Sequence, residues 1–383
     1  MAGKTADWNT IQIMKEYDFH ARRVAGIWKN GRYCAIALLM TGGYTIHTQA
    51  QQYTAKMTEE ETTDCNRRMR EQADSFLRNM PASLQHTQRL AIAKAIGGDC
   101  SDLEAVRNSR NTAPEISRTV RTRELSPTAR LYEPAAATDK KLPLLIYFHG
   151  GGWTFGSINS CGRFCNAMAA TGRMKVLAVE YRLAPEYPFP HGLNDCQNAI
   201  LYAHRHAGEL MTDSTRITVG GDSSGGNLAI ASALSGQCDG LLASLVLFYP
   251  VTKAFADETC SWRKYGEGYA LDSSLMNEFN SAYTRGAAER NHLIDVGLSD
   301  SEELSRLPKT LLIAVGRDIL RDQGIEFAEK AGTDKVTRIE FPEAVHLFIT
   351  VPGQDEAFNT AVRIASAFIT EDSAEAEMCK DTE

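Results

Sequence analysis

The chain has 383 residues, 43% hydrophobic and 23% charged, an ordinary composition for a soluble α/β domain with additions. Of the formal net charge of -7, five negative charges belong to residues 371–383, so no basic field for nucleic acid exists. Nine cysteines are scattered without a Cys-x-x-Cys pair or a zinc-spaced Cys/His set, so neither metal nor cofactor is expected.

In residues 1–50, Arg22, Arg23, Lys29 and Arg32 precede a short apolar run from Cys34 to Met40. That run is far shorter than the about 20 residues of a membrane-spanning helix, so stable membrane insertion is not expected. Followed by Thr48-Gln49-Ala50, it resembles a secretory signal cleaved after Ala50, and a buried helix of an N-terminal cap is the alternative. The first reading implies an exported protein, periplasmic or extracellular, and the second a cytoplasmic one. Cleavage would remove Cys34 and leave eight cysteines, which permits disulfides.

Residues 51–113 read as an N-terminal helical cap segment. Met69, Ala73, Phe76, Leu77 and Met80 recur at spacings of three and four up to Pro81. Further helical runs cover Leu84–Ile96 and Asp102–Arg107. Residues 114–252 form the first part of an α/β core. Strands are predicted at Ile116–Arg123, Ala129–Tyr132, Leu142–Phe148, Met174–Val179, Ile217–Val219 and Leu245–Phe248, with helices near 159–171, 191–207 and 224–235. Residues 253–306 break the rhythm with an aromatic-rich insertion, read as the second part of a lid. Residues 307–370 complete the core with strands Leu311–Val315 and Val336–Phe341 and helices near 321–331 and 354–369. Residues 371–383 are an acidic tail. Alternation of this kind implies an eight-stranded, mostly parallel sheet flanked by helices.

Chemistry concentrates at two glycine-rich turns. Gly221-Asp222-Ser223-Ser224-Gly225 stands between a strand and a helix and fits the nucleophile elbow, whose strained turn lifts one hydroxyl, that of Ser223, above the sheet. Strand Leu142–Phe148 runs into His149-Gly150-Gly151-Gly152-Trp153, where three glycines let backbone N–H groups turn inward as an oxyanion hole requires. His149 reads as a brace for that loop. The pairing of the two turns is the α/β-hydrolase arrangement, in which acid and histidine follow the serine in that order. His346, the one histidine after the last predicted strand, is the candidate base. Asp318, directly after Leu311–Val315, is the candidate acid, with Asp322 as runner-up. Trp153 and Phe155 follow the glycines and are expected to wall the substrate pocket.

These motifs, with Tyr181-Arg182-Leu183-Ala184-Pro185-Glu186, Tyr187-Pro188-Phe189-Pro190 and Asp318-Ile319-Leu320-Arg321-Asp322, resemble the hormone-sensitive-lipase-like α/β-hydrolases, the bacterial family IV esterases, over roughly residues 60–370. The resemblance implies an α/β-hydrolase fold with a helical cap and the triad Ser223, Asp318 and His346. It also implies an oxyanion hole from the N–H groups of Gly151, Gly152 and Ser224. The chain departs from the family pattern at Ile319, where proline is usual, at Leu347, where glycine is frequent, and at Ser224, where alanine is common. The expected activity is hydrolysis of short-chain carboxylic esters through an acyl-enzyme, with no cofactor and a small-molecule ester as partner. Deacetylation of sugars or other natural acetyl esters is the alternative reaction. A non-catalytic ligand receptor on the same scaffold is the rival from another class, and it would lack the base.

Overall fold

The computed structural model describes residues 59–136, 139–254, 257–285, 287 and 291–378, with side chains from Glu60 to Thr370. The expected export signal, its cleavage site and Cys34 lie outside these residues. Among the described residues no helix is long and apolar enough to cross a membrane.

Eight strands form one sheet: β1 (Val120–Ser126), β2 (Ala129–Pro134), β3 (Leu142–Phe148), β4 (Lys175–Val179), β5 (Thr212–Asp222), β6 (Ser244–Phe248), β7 (Lys309–Arg317) and β8 (Val336–Val345). Their order is β1-β2-β4-β3-β5-β6-β7-β8. β2 runs antiparallel to both neighbours, and every pairing from β4 onward is parallel. β1 starts later than Ile116 because Val120 N–H first closes a turn onto Ser117 O, leaving Ile116 exposed.

β3 shows why the central strands read as unbroken apolar runs. Leu144, Ile146 and Phe148 face one core, and Leu145 and Tyr147 face the other. Successive side chains alternate between faces, so a strand covered on both sides needs apolar residues throughout. Helices α5 (His191–Arg205) and α7 (Ser224–Leu234) fill the first core with Leu193, Cys196, Ile200, Leu228 and Ile230. Helices α4 (Gly162–Ala170) and α12 (Asp355–Met378) fill the second with Phe164, Met168, Phe358 and Ile364. Between them in the chain lie α6 (Ala207–Leu210) and α11 (Arg321–Ala331). The backbone of α12 continues into the acidic tail, beyond the predicted end near residue 369, and Ala374 to Glu377 are strong helix formers.

Both expected cap pieces are helical. The N-terminal one comprises α1 (Glu59–Asn79), α2 (Leu84–Ile96) and α3 (Ser101–Arg110). The insertion contributes α8 (Cys260–Lys264), α9 (Ser273–Tyr283) and α10 (Ser301–Ser305). α2 meets α9 at its start, where Asp272 N–H donates to Gln85 Oε1 at 2.6 Å. α3 is tied to the core by Arg107, whose guanidinium donates to Thr154 O (2.8 Å) and Ala184 O (2.9 Å) and pairs with Glu186. Cys65, Cys100, Cys161, Cys165, Cys196 and Cys238 are free thiols, and Cys161 and Cys165 pack with their sulfurs 3.8 Å apart.

Candidate active site

β5 delivers Ser223 at its carboxyl end, and α7 begins at the next residue. Ser223 has φ 53° and ψ -118°, a strained conformation for a residue with a Cβ. The turn is fixed on both sides: Ser223 N–H donates to Phe248 O (2.9 Å), and Ser223 O accepts from Asn227 N (3.1 Å) and Val251 N (3.1 Å). Gly225 is required by proximity, because a Cβ there would lie 2.1 Å from Phe148 O. The hydroxyl of Ser223 opens on a cavity of about 810 Å³.

The loop after β3 lines the same cavity with Gly150, Gly151 and Gly152. Gly151 (φ 120°), Gly152 (φ 60°) and Trp153 (φ 57°) turn in succession through left-handed space. The N–H groups of Gly151, Gly152 and Ser224 meet no acceptor among the described residues. At Gly152 a Cβ would fall 2.1 Å from the ring of Phe279, so this glycine also lets α9 approach the loop.

That left-handed run corrects one expectation. Phe155 lines the cavity, whereas Trp153 does not: it is carried away and stacks on Tyr283 with ring centroids 4.4 Å apart. Its carbonyl accepts from Ala184 N at 2.8 Å, so Trp153 ties the loop to the Tyr181–Pro190 stretch. His149 braces the loop by stacking on Tyr181 at 4.3 Å, and the Tyr181 hydroxyl donates to His149 O at 2.7 Å.

Asp318 follows β7 and His346 follows β8, and the two meet with His346 Nδ1 2.6 Å from Asp318 Oδ2. Both are buried, at 1% and 2% exposure, so the contact is nearly free of solvent screening. His346 lines the cavity with Ser223. No hydrogen bond joins the serine hydroxyl to the imidazole among the described residues, and such catalytic bonds often tighten only when substrate arrives. Asp322 is engaged elsewhere: its carboxylate accepts from Ser261 N at 2.8 Å and so anchors α8. Glu343 pairs with Arg70 of α1.

Three supporting residues escaped the sequence reading. Asp222, buried between the two turns, accepts through Oδ1 from the Tyr147 hydroxyl (2.9 Å) and from Gly150 N (3.0 Å). Burial pushes its carboxyl above the usual aspartate range, against the opposing pull of the Tyr147 hydrogen bond. Tyr249 packs its ring 4.4 Å from the imidazole of His346. Gln354 staples the histidine loop, accepting from Val345 N (3.0 Å) and donating to His346 O (3.2 Å). Only Asp222 carried a sequence signal, its place inside the elbow. Tyr249 and Gln354 reach the site by tertiary contact alone.

Residues 145–350 match the family described as alpha/beta hydrolase fold, and the chain belongs to that family. Within it the chain is a carboxylic ester hydrolase of the hormone-sensitive-lipase-like group. It is 33% identical to the ethyl acetate hydrolase of Pseudomonas putida over 274 residues, covering 69% of this chain and 80% of that protein. It is 34% identical to Lipase 2 of Moraxella sp. strain TA144, where the match spans 53% of this chain and about half (54%) of the relative. The crystal structure of a mutant of esterase rPPE superposes with a TM-score of 0.65 at 25% identity, covering 74% of this chain and 96% of that one.

Proposed function

We propose that Ser223 attacks the carbonyl carbon of a short-chain carboxylic ester while His346 accepts its proton, with Asp318 holding the imidazole by Nδ1. The carbonyl oxygen gains negative charge next to the N–H groups of Gly151, Gly152 and Ser224, which are pre-aimed donors of the kind that stabilises a tetrahedral intermediate. His346 then returns the proton to the leaving alcohol, and an acyl-Ser223 ester remains. Water, deprotonated by the same histidine, hydrolyses it and restores the enzyme. The observation that carries this reading is the 2.6 Å Asp318–His346 contact opening on the same cavity as Ser223 and the glycine loop. A receptor on this scaffold would have no use for the base.

The substrate we infer has an acyl chain of about two to six carbons, because each CH₂ buried against apolar walls adds about 0.8 kcal/mol until the space ends. Phe155, Leu275 and Phe279 supply such walls near the glycine loop. The name of the Pseudomonas relative, an ethyl acetate hydrolase, supports the same size class. The test is a panel of esters varied separately in acyl chain and alcohol, with a phosphonate label to identify the nucleophile. We expect label on Ser223 alone, the highest kcat/KM at short acyl chains and no rate jump when micelles form. Label on another residue, or a preference for long-chain triglyceride, would overturn this assignment.

A further inference from the structure

One charged group at the cavity lacks a direct polar partner. Four of its lining residues ionise: Arg110, Arg163, Asp222 and His346. Asp222 is occupied by Tyr147 and Gly150, and His346 by Asp318. Arg163 is matched by Asp355 at 2.5 Å and lies 3.6 Å over the ring of Phe358. Arg110, the last residue of α3, has no such match. Among the described residues it makes no hydrogen bond and no ion pair, and its one contact of this kind is the face of Phe155, 5.4 Å from its guanidinium carbon.

Arg110 is half-buried and lines the cavity. Burial lowers its affinity for its proton, with Asp222 as the one charge opposing that effect. A guanidinium nonetheless stays charged in a protein. Gln88 of α2 is buried and lines the same cavity, and its side chain also has no hydrogen-bond partner among the described residues. Five N–H donors of a guanidinium, held in a fixed fork, match a carboxylate better than any neutral ester group. Leaving such a group without a direct partner, with Asp222 acting on it only through space, is costly, and an anion entering the cavity removes that cost.

We infer that the cavity is built for an ester that carries a carboxylate, with Arg110 binding that carboxylate while Ser223 attacks the ester carbonyl. This rests on the esterase reading of Ser223 above and specifies its substrate class. The reaction is hydrolysis: water adds across the acyl–oxygen bond, releasing an alcohol and an acid, one of which bears the second carboxylate. The carboxylate can belong to the acyl half, as in a half-ester of a dicarboxylic acid, or to the alcohol half, as in an acylated hydroxy acid.

Two matched pairs of substrates separate these cases, with acid release followed at constant pH. Monoethyl glutarate against ethyl pentanoate probes the acyl half, and 3-acetoxypropanoate against butyl acetate probes the alcohol half. We expect the 383-residue chain to favour the anionic member of one pair in kcat/KM. Arg110→Met should cut that ratio by about tenfold to hundredfold, the range for one hydrogen bond to a charged group, and Arg110→Lys should restore part of it. Because both esters are read on one preparation, partial misfolding lowers both rates and leaves the ratio alone. Turnover of the neutral esters with a ratio at or below one in both pairs, or a ratio that Arg110→Met leaves unaltered, overturns the anion site and leaves the esterase standing. Failure to turn over any of the four esters overturns both.

Discussion

Around Ser223 and Gly151 main-chain contacts and close backbone approaches set most positions. Ser223 is pinned through its N–H and carbonyl, and Gly225 and Gly152 give way to neighbours that would overlap a Cβ at 2.1 Å. In the cap the contacts belong to side chains: Gln85 on the start of α9, Arg107 on the loop after the glycines, Phe279 over Gly152. Reacting atoms must be held within a fraction of an ångström, which a backbone wedged between a strand and a helix provides. A pocket wall has only to exclude water and fit a shape, and exchangeable side chains suffice for that. On the proposed function, turnover belongs to the sheet's carboxyl edge and selectivity to α2, α3 and α9.

The largest break in that division comes from the triad. Ser223→Ala should lower kcat by on the order of 10⁴–10⁶ while the melting temperature stays within a few degrees, and His346→Ala should cost nearly as much because such residues act as a unit. Asp318→Asn should lose on the order of 10²–10⁴ through a misoriented imidazole. Asp322→Asn should cost less than about tenfold, since this carboxylate anchors Ser261 by one charged hydrogen bond and not the imidazole. Steady-state kinetics on the four variants check this, and a larger loss at Asp322 than at Asp318 would move the acid.

The same division explains what could be read from the chain. The elbow, the glycine loop and the positions of Asp318 and His346 are legible because each follows a predicted strand and their order along the chain is fixed by the fold. Trp153 misled because successive positive φ values at Gly151, Gly152 and Trp153 turn the chain, so a residue that directly follows the glycines need not face the cavity. Asp222 stood in plain view inside the elbow, yet its partner Tyr147 is 75 residues away and no spacing rule joins them. Arg110 and Gln88 look like ordinary helix-surface residues until α2 and α3 are folded over the cavity. Such residues show their role only through neighbours distant in sequence.

A smaller effect sharpens the cap side of the comparison. Arg107→Ala removes the hydrogen bonds to Thr154 O and Ala184 O that fasten α3. Hydrogen bonds to a charged group contribute about 1.5–3 kcal/mol, so we expect a melting point lower by several degrees and a KM raised several-fold. The kcat on a small neutral ester should fall by less than about threefold, because no reacting group moves. A collapse of kcat with KM unaltered would place α3 in the catalytic machinery and blur the division.

The smallest effect concerns Asp222, which links the two backbone turns at an electrostatic cost. Its folded-state carboxyl is raised above the ordinary value of 3.8 by burial. A group raised in the folded state favours folding fully below its unfolded value, and that contribution is lost as pH rises through the folded one. Stability should therefore decline as pH climbs from about 3.8, with Asp222 as one contributor to the slope. Asp222→Asn keeps an oxygen for the Tyr147 hydroxyl and Gly150 N–H, both of which now share Oδ1, and removes the ionisation. The variant should melt at a higher temperature than the native protein at neutral pH, with the difference shrinking as pH falls toward 4. Differential scanning calorimetry across that range checks the sign. A variant equally destabilised at every pH would mean that the second carboxylate oxygen is needed for packing between the turns, and that their link is steric before it is electrostatic.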